Sequence, residues 1–125
     1  MIISVGVDII NNTKVKKAVE KYGLRFMSRV FTKKEINYIN TRKIPFIHAA
    51  VRFAAKEACI KALSVKGDAV YSMREIEIKR NENGFVEYNL SGKAEKVYKK
   101  LKVKNVHLSL SHERNYSVAF CVFEG

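Results

Sequence analysis

The residues in this chain best suited to chemistry are two acids and a lysine. Asp8, one of only two aspartates, stands near the end of the alternating segment Ile3-Ser4-Val5-Gly6-Val7-Asp8-Ile9. A charge on a largely apolar strand costs free energy unless it is paired or bound to a metal. Two accounts fit it: Asp8 caps the next helix or faces water, or it is one ligand of a cation. Glu57 sits in an alanine-rich helical run, where Ala50, Phe53, Ala54, Ile60, Lys61 and Ser64 project within about 60° of it at roughly 100° per residue. Its surroundings are therefore partly apolar, and full solvation is not expected. Glu57 and Lys61 also have the i,i+4 spacing of an ion pair, which steadies any helix by about 0.2–0.5 kcal/mol without further purpose. Two acids with a lysine one turn beyond one of them also suit magnesium on a diphosphate. Neutralising phosphate charge is most of what phosphoryl transfer asks of a protein.

The other chemical side chains say less. His107 alternates with core residues and reads as structural or half-exposed. His112 follows Ser109-Leu110-Ser111 at a strand end, a usual place for binding groups, and structural and functional readings of it stand level. Glu35 closes the Thr32-Lys33-Lys34-Glu35 capping box, which is sufficient reason for its presence. Cys59 and Cys121 lack CxxC spacing and fall in regular apolar segments, so both read as buried, reduced thiols.

The elements that must position these groups follow from periodicity. Residues 3–9 alternate as a strand with one buried face, on which the pattern puts Ile3, Val5, Val7 and Ile9, with Asp8 on the other. Val15, Ala18, Val19, Tyr22 and Phe26 then form a helical apolar stripe, while Lys14, Lys17, Lys21 and Arg25 cluster within about 60° on the wheel. Gly23 predicts a weak point or break in that helix. The capping box opens a short helix toward residue 40, residues 41–45 read as a loop, and residues 46–63 form the longest helix, ended by the turn-like segment 64–68. Ile76 and Ile78, the turn Asn81-Glu82-Asn83-Gly84, and residues 85–90 make a hairpin. Ser91 is placed to cap a helix carrying Ala94, Val97, Tyr98 and Leu101 inward. A strand through Val106, Leu108 and Leu110 and a last strand over residues 116–123 follow. The order β, three helices, hairpin, helix, hairpin describes one α/β domain of the α+β type over residues 1–125, with a largely antiparallel sheet and a long central helix.

Composition bounds the function classes. The chain has 125 residues, 47% of them hydrophobic, which suits one core. Twenty-four Lys and Arg against twelve Asp and Glu leave +12, so an anionic partner is expected. No apolar run reaches the roughly 18 residues of a membrane helix. The amino-terminal segment resembles a first strand more than a secretion signal, and the expectation is a cytoplasmic protein without a membrane partner. A basic nucleic-acid-binding domain is the rival, but neither an aromatic RNP signature, a GxxG clamp nor zinc-finger spacing is present, and no nucleic acid is expected.

Three motifs occur together and in order: Gly6-Val7-Asp8-Ile9-Ile10; Arg52-Phe53-Ala54-Ala55-Lys56-Glu57-Ala58 with Lys61-Ala62; and His107-Leu108-Ser109-Leu110-Ser111-His112-Glu113. In these the chain resembles, nearly end to end, the holo-[acyl-carrier-protein] synthase family of small phosphopantetheinyl transferases. The resemblance implies transfer of the phosphopantetheine arm of coenzyme A to a serine of an acyl carrier protein, with release of adenosine 3',5'-bisphosphate, in support of fatty acid biosynthesis. It implies that Asp8 and Glu57 bind magnesium and that Lys61 contacts the coenzyme phosphates. Lys43, Arg52 and His112 would help to hold coenzyme A, and Lys14, Lys17, Lys21 and Arg25 would grip the acidic carrier protein. Family members of this kind are usually homotrimers with interface sites. The chain departs from the family pattern in having Ser64-Val65-Lys66-Gly67 for Gly-Thr-Gly, Asn11 for a glutamate, and Gly84-Phe85-Val86 for Gly-x-Pro. The altered loop leaves open a catalytically silent relative that only binds a carrier protein. The general base stays open among Glu57, Glu35 and a metal-bound water. Arg52 projects about 140° from Glu57 at roughly 100° per residue, so one subunit is not expected to bring both to one small site. A neighbouring subunit in a symmetric trimer would reconcile them; the alternative is that Arg52 ties its helix to its own subunit.

Overall fold

The alternation at the amino terminus does make a strand, β1 (Ile2–Asn11), and the computed structural model pairs it antiparallel with the last strand of the chain, β5 (Tyr116–Glu124). The structure describes residues 1–67 and 71–125; Asp68, at the end of the turn expected over residues 64–68, lies outside the described residues. A third strand, β4 (Asn105–His112), pairs with β5, giving a sheet in the order β1-β5-β4. The separate hairpin joins β2 (Ile76–Arg80) to β3 (Val86–Leu90). All strand pairings among the described residues are antiparallel, in keeping with the expected largely antiparallel sheet.

The expected first helix is two. α1 (Asn12–Tyr22) ends at Gly23, whose φ of 54° lies in the region that favours glycine, and α2 (Leu24–Val30) restarts immediately. Arg25 therefore belongs to α2, and Tyr22, expected inward, is exposed because the helix turns away beneath it. The capping box forms as written and opens α3 (Lys33–Asn40). Pro45, placed in a loop by pattern, is instead the first residue of α4 (Pro45–Leu63), where its missing N–H costs nothing. α5 (Gly92–Lys100) is not capped by the Ser91 hydroxyl; the Glu75 carboxylate accepts the Lys93 N–H at 2.7 Å in its stead.

α4, about 28 Å long at 1.5 Å per residue, crosses the molecule and carries a core at each end. Ala49 and Ala50 pack with Val15, Met27, Val30, Phe31 and Ile39, while Ala54 through Leu63 pack with both sheets and α5. The alanines bring strand and helix backbones close, and this reverses the expected facing of β1. Ser4 and Gly6 are buried against α4, and Val5, Val7 and Ile9 are half or more exposed. A Cβ on Gly6 would lie 1.8 Å from the Ala58 carbonyl oxygen, and the Ser4 hydroxyl donates to the Ala62 carbonyl at 2.8 Å. Only the small residues of the strand fit there; Val5, Val7 and Ile9 are turned outward, while Ile3, beside a register shift between Ile2 and Ser4, and Ile10 still pack against the core.

Candidate active site

The same close approach sets Asp8, two residues beyond Gly6, beside the face of α4 that bears Glu57 and Lys61. The Lys61 ammonium donates to the Val7 carbonyl at 2.8 Å and to Asp8 Oδ1 at 3.3 Å. It makes no ion pair with Glu57, so the i,i+4 partnership allowed by the spacing is not the one formed. The strand offers a carbonyl and a carboxylate together, a better acceptor pair for one ammonium. Asp8 does not cap α1 either; Asn11 does, accepting the Thr13 N–H at 2.8 Å.

Glu57 is left short of a partner. Partial burial raises its pKa, the Asp8 charge raises it further, and Lys61 offsets this only in part. Two carboxylates that repel one another beside a lysine attract a cation. Among the described residues no third His, Cys, Asp or Glu joins them. A two-carboxylate donor set suits magnesium, which keeps waters and takes the rest of its shell from phosphate oxygens.

Glu35, the alternative base, is sealed. Its Oε1 accepts from the Thr32 N–H at 2.9 Å and from Lys56 Nζ at 2.8 Å, and its Oε2 accepts from the Ile78 N–H at 2.9 Å. Lys56, fully buried, gives its other two protons to the carbonyls of Met73 and Ile76, each at 2.8 Å. Periodicity could place Lys56 on a helix, but nothing in spacing pointed to Glu35 as its partner.

A second polar group gathers around Tyr38. The guanidinium of Arg52, only 3% exposed, lies 4.2 Å from the ring centroid, with Arg42 at 4.8 Å and Arg80 at 5.9 Å. Arg80 also donates to the Tyr38 hydroxyl at 3.1 Å, and His48 meets the ring edge-on at 6.0 Å. Burial lowers the His48 pKa, as do the charges of Arg52, Arg42, His112 and Arg80. The structure thus sets Arg52 and His112 near one cationic group and does not bring Arg52 to Glu57. Lys43 is exposed in the segment between α3 and α4, and His112 is exposed at the end of β4. Tyr38, Arg42, His48 and Arg80 were missed because α3, the segment after it, α4 and β2 supply one each, with no shared period.

The assignments to the carrier protein fall on the surface. Lys14, Lys17 and Lys21 are exposed along α1, and Lys21 and Arg25 flank the Tyr22 ring at 5.3 and 5.8 Å despite the break between their helices. His107 is exposed and pairs with Glu124 at 3.0 Å, a structural role. Cys59 and Cys121 are buried and free, and burial pushes both thiols up, Cys59 strongly.

Residues 4–121 match the family model of the 4'-phosphopantetheinyl transferase superfamily. A holo-[acyl-carrier-protein] synthase of Thermodesulfovibrio yellowstonii is 42% identical over 122 residues, covering 98% of each chain. Among solved structures, the holo-[acyl-carrier-protein] synthase of Neisseria meningitidis superposes with a TM-score of 0.87 at 32% identity over the whole of both chains. The corresponding Bacillus anthracis protein, solved in complex with CoA (3',5'-ADP), gives 0.77 at 31% identity over 98% of this chain and 96% of that one.

Proposed function

This chain belongs to the 4'-phosphopantetheinyl transferase superfamily, and from that premise we propose a magnesium-dependent holo-[acyl-carrier-protein] synthase centred on Asp8, Glu57 and Lys61. It transfers the phosphopantetheine moiety of coenzyme A to a carrier-protein serine. The serine oxygen bonds to the β-phosphorus, the bond from that phosphorus to the bridging oxygen breaks, and adenosine 3',5'-bisphosphate departs with that oxygen.

The observation that carries the site assignment is geometric: Lys61, on the α4 face that bears Glu57, bonds to both Val7 and Asp8 of β1. Asp8 and Glu57 would hold the magnesium, which when bound supplies positive charge to the diphosphate. Lys61 commits two of its three N–H groups to Val7 and Asp8, and the third remains for a phosphate oxygen. The strand thereby aims the ammonium, so its charge needs little reorganisation as the phosphates gain charge. With Glu35 sealed, Glu57 is the carboxylate in this group able to accept the serine proton, directly or through water.

Lys14, Lys17, Lys21 and Arg25 would receive the acidic carrier protein, and Lys43, Arg52 and His112 would hold coenzyme A. We assign the enzyme to the cytoplasm, in fatty acid biosynthesis, as a homotrimer. Two free buried thiols support a reducing compartment. The outer face of β1 supports assembly: Val5, Val7 and Ile9 are exposed, with Phe120 paired to Val7 and also exposed. No helix among the described residues is long and apolar enough to cross a membrane.

Mass spectrometry of an apo carrier protein incubated with enzyme, coenzyme A and magnesium tests the reaction. The expected result is a phosphopantetheine adduct on the serine and an equal yield of adenosine 3',5'-bisphosphate, both lost in chelator. An unmodified carrier protein across several candidates would refute the catalytic reading. For the shared site, Arg52→Ala and Glu57→Gln subunits should regain partial activity when co-refolded into mixed trimers. Mixed trimers as inactive as their parents would assign Arg52 to its own subunit alone.

A further inference from the structure

The geometry points to Tyr38 as a positioning residue that collects Arg42, Arg52 and Arg80 into one cluster for receiving a phosphate group of coenzyme A. This rests on the proposed role of Arg52 in holding the coenzyme. The three guanidinium groups come from different parts of the fold: Arg42 follows α3, Arg52 lies in α4, and Arg80 ends β2. The Tyr38 ring is the face on which all three gather, at 4.8, 4.2 and 5.9 Å. Arg80 is braced at both ends, donating to the Tyr38 hydroxyl at 3.1 Å and to the Gly84 carbonyl in the hairpin turn at 2.9 Å.

Charge gives the cluster its direction. Among the described residues none of the three arginines forms an ion pair. The carboxylate felt by Arg52 is Glu35, whose oxygens are already committed to Lys56 and to backbone N–H groups. Arg52 Nε is buried with no hydrogen-bond partner at all. An orphaned guanidinium donor in a largely desolvated position is costly, and like charges around one ring repel, so the arrangement is completed by an anion. The ring face attracts each cation without neutralising it, which keeps the donors available to a ligand. Phosphate suits such a cluster, because guanidinium N–H groups match its oxygens in pairs.

Steady-state kinetics and calorimetric binding of adenosine 3',5'-bisphosphate test the assignment on the intact enzyme. Tyr38→Leu removes ring and hydroxyl, and should raise the coenzyme A KM and the bisphosphate Kd about tenfold while kcat changes less than about threefold. Tyr38→Phe keeps the ring but loses the Arg80 hydrogen bond, and should fall between the parent and Tyr38→Leu in both. Arg52→Ala, expected to be nearly inactive, is the reference for binding alone: if it leaves the bisphosphate Kd unchanged, the role of Arg52 fails, and with it the premise. If Arg52→Ala weakens binding and a folded Tyr38→Leu does not, Tyr38 is not a positioning residue. Should Tyr38→Leu fail to fold, the cycle of Tyr38→Phe with Arg80→Gln decides. Non-additive losses of affinity support the bracing of Arg80 through the hydroxyl, and additive losses overturn it.

Discussion

Lys56 and Glu57 are neighbours on α4, and they lead to opposite electrostatic fates. On one flank Lys56 meets Glu35 at 2.8 Å, with both side chains essentially inaccessible and every strong donor and acceptor engaged. On the other, Glu57 faces a second carboxylate, remains partly exposed, and has its pKa raised by burial and by Asp8. Both clusters contain acids and a lysine, so residue type does not separate them. Completeness does. A saturated cluster joins α3, α4 and β2 and has no capacity left for a ligand; an unsaturated one stores an imbalance that a ligand can relieve.

Breaking the saturated cluster should have the largest effect. Lys56→Met leaves the Glu35 carboxylate buried without its cation, and a loss of about 3–5 kcal/mol in urea-monitored stability is expected, enough to unfold a marginal domain. A variant as stable as the parent would abolish the distinction drawn between the two flanks.

The unsaturated cluster should respond in the reverse sense. Glu57→Gln, like Asp8→Asn, is expected to lower transfer about a hundredfold or more while leaving the fold intact. In chelator it should raise the melting temperature at neutral pH. The sign follows from linkage: a carboxyl whose folded pKa lies above its unfolded value binds more protons when folded, so stability falls as pH rises through that interval. Glutamine removes that loss. Melting curves of parent and variant should therefore converge at acid pH and separate toward neutrality.

Smaller effects sharpen the contrast at the surface. Neutralising Lys14, Lys17, Lys21 and Arg25 should raise the carrier-protein KM about tenfold at low salt and flatten its salt dependence, with kcat for bound substrate little altered. Smallest of all is the exposed pair Lys79 and Glu87, 3.6 Å apart across the hairpin. Glu87→Gln should change stability by about 0.5 kcal/mol or less and transfer not at all.

Local signals in the sequence were reliable where a few adjacent residues decide the outcome. Thr32 and Glu35 specify their capping box, Gly23 its break, and Asn81 to Gly84 their turn. The candidate site was legible in part, since Asp8, Glu57 and Lys61 stand out by type and setting. Their wiring was not, because Lys61 turns from its helical neighbour to a strand 53 residues away in sequence. The facing of β1 misled for a related reason. Alternation reports two unlike faces, and the usual inference buries the apolar one; here the alanines of α4 admit only Ser4 and Gly6. An alanine-rich helix opposite a strand that alternates glycine and serine was the available signal. The gathering of Arg42, Arg52 and Arg80 on Tyr38 carries no such local mark.

The pairing of β1 with β5 also has a temporal side. Asp8 stands opposite Ala119, so the strand that carries it gains its hydrogen-bonded neighbour only when residues 116–124 are available. During synthesis more than a hundred residues must emerge before that ladder can close. Contacts of such sequence separation are slow to form, because a long loop loses its freedom before any bond repays it. Asp8, among the first residues made, is thus among the last to be fixed in place, and a nascent chain holding Glu57 and Lys61 in a finished helix still lacks the third member of the proposed centre.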